Sequence, residues 1–193
     1  MTKKQPEDTK LLVLPSVLVD RLKEASTKNG TSLSGYAMKV LEEGLRAETL
    51  GAPLDAAIEA FRMREIHTGA GAVIVSRSSL GQIIESLGEG HAEDLDRLWE
   101  EAGRWYGKYI VGKLGREEVF SYLRQDLLTS WNLDECEIKA SDDATIRFTG
   151  FMMSEDLTHL LLSYIHGLMD SLGFHEVERD SIRGMATIKY MRF

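Results

Sequence analysis

The chain has 193 residues, 43 % hydrophobic and 28 % charged, enough for one ordinary domain or a small module plus a domain, and too apolar for a disordered protein. Its net charge of −8 argues against a surface coated in basic charge for unspecific nucleic-acid binding, although residues 1–50 are near neutral and the remainder carries the acidity. No run reaches the roughly 20 apolar residues of a membrane span, the start carries no secretion-signal pattern, and the single cysteine, Cys136, excludes an intrachain disulfide and a Cys-rich zinc site, so a reduced, cytoplasmic protein is expected.

Residues 1–8, MTKKQPED, read as a loose tail. Residues 9–14, TKLLVL, are rich in Leu and Val and stop at Pro15, the pattern of a short strand. Pro15 and Ser16 suit the first positions of a helix, Leu18, Leu22 and Ala25 follow at helical spacing, and Asn29-Gly30 supplies a left-handed stop. A second helix opens at TSLS, with Leu33, Tyr36, Ala37, Val40, Leu41 and Gly44 as its apolar stripe. Residues 52–67 place Leu54, Ala57, Ile58 and Phe61 on one face of a connecting helix, which ends at the hinge sequence TGAGA.

Beyond the hinge, AVIVS at 72–76 reads as a strand and SSLGQIIESL as a short helix. A long helix is expected over 92–114, with Leu95, Leu98, Trp99, Ala102, Tyr106, Tyr109, Ile110 and Lys113 along one side. Gly103 and Gly107 lie one turn apart on it; each costs about 1 kcal/mol relative to alanine, so a close approach is expected there, by a packed helix or by a ligand. Residues 116–131 read as a helix, 136–151 as two strands around SDDA, 154–173 as a capped amphipathic helix, and 175–193 as a hairpin turning at SIRGMA. The fold class is therefore α+β, divided into a head at 1–50, a helical connector at 51–69 and a body at 70–193.

The run LPSVLVDRLKEASTKNGTSLSGYAMKVLEEGL resembles the ribbon-helix-helix DNA-binding family of the Arc, Met and CopG-type repressors. The resemblance covers residues 9 to about 47 and rests on Leu14-Pro15, the apolar positions of both helices, Gly30 between them and GTSLS at the second helix. It implies a homodimer whose paired strands enter the major groove of double-stranded DNA, while the start of the second helix, at Thr31, Ser32, Leu33 and Ser34, meets a phosphate. Ribbon positions facing DNA then fall on Thr9, Leu11 and Val13, and only the first can hydrogen-bond to a base edge. Three readings stay open. In one, Leu11 and Val13 meet thymine methyls, Thr9 and Lys10 give polar contacts, and Lys3 and Lys4 meet phosphate. In another, the outer ribbon face is covered by the acidic body or another dimer; separately, a tetramer stays open, since a head that pairs two chains leaves the bodies free to pair others. In the third, the unit only dimerises.

Residues 70–193 are similar to the 4-vinyl reductase-like family of small-molecule-binding domains, through the order of elements, AGRWYGKYIVGKLG, and YIHGLMDSLGF before a terminal hairpin. Many members carry a cysteine pair in that hairpin; this chain has Asp180 and Ile188 near those positions, so a metal or redox role carried by those cysteines does not transfer, and no cofactor is expected. The expected ligand is a small apolar molecule, in a cavity lined by Trp105, Tyr109, Phe120, Trp131, Phe151 and Tyr164, with His159 and His166 as polar points. His159, His166 and Asp170 share a helical face, but no strong further ligand accompanies them. No nucleophile elbow, Walker loop or HExxH motif is present, and no enzyme is expected. The expectation is a dimeric, ligand-responsive transcriptional regulator or repressor; the alternative is a dimeric small-molecule- or protein-binding module whose head never touches DNA.

Overall fold

The computed structural model describes residues 10–51, 53–87 and 89–193. The expected tail, and with it Lys3, Lys4 and Thr9, lies outside the described residues. Among those described, the chain is mixed α and β, with seven α-helices and one four-stranded antiparallel sheet. It divides into two compact units, Phe61 closing the first and Arg62 opening the second. No helix among the described residues is long and apolar enough to cross a membrane.

The first unit is helical. Residues 10–15 form no strand, contrary to the expectation for TKLLVL. The reason is elementary: a strand exists through its neighbour's hydrogen bonds, and a single chain offers this segment none. α1 (Ser16–Lys28) starts after Pro15 and ends at Asn29, where Gly30 turns the chain at φ +65°, a conformation open to glycine at little cost. α2 (Leu33–Thr49) is capped by Ser32, whose Oγ accepts from the Gly35 amide at 3.1 Å. α3 (Leu54–Gly69) matches the expected connector and carries the boundary between units within it.

In the second unit the expected strand at 72–76 is absent. Val73, Ile74 and Val75 are exposed in irregular backbone, because neither sheet edge takes them up and an apolar run alone cannot pair. α4 (Arg77–Leu87) and a 3-10 turn (Glu89–His91) lead to α5 (Ala92–Leu114), whose bounds are those expected. α6 (Val119–Ser130), β1 (Glu135–Ala140), β2 (Asp143–Thr149), α7 (Glu155–Ser171), β3 (Phe174–Ile182) and β4 (Met185–Arg192) complete it.

The sheet order is β1-β2-β4-β3. One face is apolar by strict alternation: Cys136 lies opposite Phe148, Ile146 opposite both Ile138 and Ile188, and Tyr190 opposite Ala144. Helices cover this face, and the core of Ile110, Leu123, Leu161, Ile165, Leu168, Met169 and Ile188 lies between. On edge strand β3, Glu176 and Arg179 occupy that same face and pair in a bidentate fork (2.8 and 2.5 Å), with a bulge after Glu176.

α5 and α7 run parallel with their backbones in direct contact. A Cβ on Gly103 would overlap the Tyr164 carbonyl oxygen and sit 3.1 Å from the Leu168 nitrogen; one on Gly167 would overlap the Glu100 carbonyl; one on Gly107 would meet Ser171 Oγ. Of the two uses open to Gly103 and Gly107, helix packing is the one observed. Polar ties flank the seam: Asp96 accepts from Ser163 (2.9 Å) and lies 3.3 Å from His159, while Arg104 bridges Glu100 (2.5 Å) and Asp170 (2.9 Å). Alanine at 103 or 167 is expected to destabilise by about 2 kcal/mol or more, because forced backbone separation outweighs the roughly 1 kcal/mol helix-propensity gain. Urea unfolding of Gly103→Ala and Gly167→Ala, with Gly112→Ala, where nothing lies within 4 Å, as a control expected to be neutral or stabilised, measures this.

Candidate functional site

The eight side chains expected to line one cavity are distributed over several places. Four belong to a continuous aromatic run. Trp105 stacks on Tyr109 (5.3 Å between centroids, 10° between planes), Tyr109 on Tyr106 (6.4 Å), Tyr106 meets Tyr164 (6.3 Å), and Tyr164 meets Trp131 (5.7 Å). Trp105 is exposed at one end, and Tyr106 is buried near the middle. Phe120 lies elsewhere, edge-on to Phe174 at 5.8 Å, beside a small cavity at the ends of the helices. Phe151 is exposed. His159 turns to Asp96, and His166 lies 3.4 Å from Glu176 on β3. With Asp170 held by Arg104, the histidine and aspartate face of α7 is committed to three different partners, and no group of three metal-ligating side chains forms among the described residues.

The arrangement that sequence reasoning missed centres on Asp126, only 3 % exposed on α6. Its Oδ1 lies 2.6 Å from His67 Nε2 of α3 and accepts from Ser130 Oγ at 2.7 Å. Beside it, the hydroxyls of Tyr106 and Tyr122 share a hydrogen bond of 2.9 Å. Burial raises both phenols well above their ordinary range, with the negative charge of Asp126 adding to it; burial does the same to Tyr164. These phenols hold their protons at every physiological pH and serve as neutral hydrogen-bonding groups. Serine, histidine and aspartate meet here without forming a nucleophilic relay: Ser130 and His67 both approach the same carboxylate oxygen, and their mutual distance is 3.5 Å. The chemistry is that of a buried anchor pinning α3 to α6. The signal was present in α6, where Tyr122, Asp126 and Ser130 fall at four-residue steps beside Leu123 and Leu127, so that an aspartate sits on the apolar side.

Cys136 is buried in β1, and desolvation pushes its thiol up to about 11, against a weaker downward pull from the Arg124 guanidinium. A second, wider recess runs between α6 and the β1–β2 edge, with Arg124, Cys136, Glu137 and Arg147 among its walls. It is lined by opposite charges and shows no convergence on one ligand type.

In the first unit, the described candidate residues form a surface. Lys10, Leu11 and Val13 are exposed, as are Thr31, Ser32 and Ser34. Ser32 is the helix cap, and the Thr31 amide donates to the Ser26 carbonyl at 3.0 Å. The Leu33 and Ser34 amides stand at the open end of α2, where helix geometry supplies no acceptor.

No family model matches the chain, and no curated protein matches it. A solved structure described as "Modulating Heme Redox Potential Through Protein-Induced Porphyrin Distortion" is similar over 67 % of this chain and 87 % of its own, at 16 % identity and a TM-score of 0.39.

Two outcomes are expected from this geometry. Asp126→Ala removes the shared acceptor of His67 and Ser130 and should cost about 2–3 kcal/mol in chemical unfolding, whereas Glu101→Ala on the exposed side of α5 should stay within about 0.5 kcal/mol. Iodoacetamide at mildly alkaline pH should label Cys136 slowly in the native protein and at an ordinary thiol rate once unfolded, as read by mass spectrometry.

Proposed function

We propose that the chain is a dimeric, ligand-responsive transcriptional regulator in which the first unit pairs with that of a second copy to form a ribbon-helix-helix DNA-binding head, and the second unit senses a small molecule. One observation carries the first half of this reading: the first unit has no apolar core of its own. Leu11 is 94 % exposed and Val13 85 %, while Leu18, Leu33, Val40, Leu41 and Leu45 on α1 and α2 are exposed as well. Among its described residues only Ser26 is buried. Two short helices that leave every large apolar side chain partly in water are not independently stable, and a second copy supplies the matching face.

Pairing of two chains would also give residues 10–14 the neighbour they lack, producing the two-stranded ribbon that β-ribbon readers insert into the major groove. Lys10 then lies beside the groove, and the open end of α2 at Ser32, Leu33 and Ser34 offers amides to a phosphate. A cytoplasmic location follows from this role. Leu11 and Val13 favour the second reading, a dimer that does not bind DNA, because apolar groups on the outer ribbon face give no hydrogen bonds to base edges.

Light scattering of the full chain should give a dimer, and Val40→Glu should yield monomer with reduced helicity. Immobilised genomic fragments should retain the dimer at low salt and release it as salt rises, with Lys10→Ala lowering the slope of log K on log salt by about one. Retention on no fragment, in the presence or absence of cell extract, would sink the regulator and leave the dimeric module.

A further inference from the structure

We infer that the second unit binds a small apolar carboxylate in the cavity at the ends of α5, α6 and α7, held by the guanidinium groups of Arg116 and Arg192. This deepens the proposed sensing role by naming its site and ligand class, and it rests on that reading for its biological meaning.

The cavity has a volume of about 180 Å³. That is smaller than the roughly 300–1,000 Å³ of drug-sized sites, so it suits a small ligand. Its walls are Val111, Val119, Phe120, Leu172 and Phe174, contributed by the ends of α5 and α7, the start of α6 and the start of β3. Three helix ends and the start of a strand thus converge, at a place that side-chain packing from any one element cannot fill. Phe120 and Phe174 meet edge-on, giving a firm aromatic wall.

The charge around this apolar space is opposite to that of the protein. In a chain of net charge −8, no acidic side chain among the described residues lines the cavity, while Arg116 and Arg192 both do, with Ser141 as a further polar group. Elsewhere in the unit Arg104, Arg147 and Arg179 each hold a carboxylate. Arg116 and Arg192 make no ion pair among the described residues, and Arg192 instead lies over the Phe174 ring at 5.9 Å. Neither guanidinium has a counter-charge at this site among the described residues, and an anion supplies one. A carboxylate fits best, because its two oxygens match the planar fork of a guanidinium and a monocarboxylate leaves its remainder free to enter the apolar walls.

The test is calorimetric titration of the full chain, without DNA, using benzoate, phenylacetate and octanoate, with the corresponding amides and inorganic phosphate as controls. At least one carboxylate is expected to bind, with its amide about tenfold weaker or more, and phosphate alone not at all. Arg116→Gln/Arg192→Gln, exposed replacements whose fold is checked by circular dichroism, should weaken the carboxylate about tenfold or more. Leu172→Trp, which fills the cavity, should abolish binding of acid and amide alike. Failure of every carboxylate to bind, or equal binding by the wild type and the double variant, overturns the inference. DNA retention is scored separately: carboxylate binding that leaves retention untouched upholds the site and counts against the regulator, whereas retention that responds to cell extract without carboxylate binding upholds the regulator and removes the site.

Discussion

The second unit depends on two helices touching backbone to backbone. At Gly103 and Gly167 the space for a side chain is occupied by the carbonyl of the opposite helix, so α5 and α7 can neither slide nor rotate without collision. This close contact fixes which residues of α5 face α6 and which face α7. Tyr106 lies toward Tyr122 and Tyr164 because its neighbours on either side, Gly103 and Gly107, are committed to the seam. From the same constraint come the polar ties at Asp96 and Arg104, which need the helices in one register. α7 also sits on the sheet, so the seam passes its position on to β3 and β4 and to the ends of the helices around Phe120 and Phe174.

The two units are built on opposite physical terms. The second buries a continuous apolar core from Ile110 through Leu161 to Ile188, and its buried carboxylate, Asp126, is matched by His67 and Ser130. In the first, two helices, the second capped by Ser32, carry apolar faces that remain in water. Local signals suffice to form α1 and α2: a proline entry, a serine cap and a glycine turn. They do not provide stability, which in helices this short comes from what packs against them.

The same distinction governs what could be read from residues alone. α5 was legible to its ends because a long amphipathic stripe runs unbroken from Leu95 to Lys113, and both hairpins were legible because SDDA and SIRGMA interrupt alternating strands. AVIVS misled, since β-branched residues state a preference while pairing needs an open edge. TKLLVL differs in kind, because under the proposed pairing its partner is another molecule. The candidate site was legible only in part. Helical spacing shows that Tyr106, Tyr109 and Trp105 are neighbours, but not that Trp131 and Tyr164 join them while Phe120 and Phe151 do not. Asp126 and His67 lie 59 residues apart, and no local pattern joins groups at that separation.

The bulged edge strand β3 carries one more meaning. Its inward Glu176 and Arg179 satisfy each other in a fork beneath the strand, and the bulge displaces the backbone hydrogen bonds that a newcomer would need in line. A fifth strand could be added there only by distorting that ion pair or leaving amides unmatched, the means by which natural sheets discourage edge-to-edge growth. The β3 edge is thereby closed to growth, and β1 is left as the sheet's other edge.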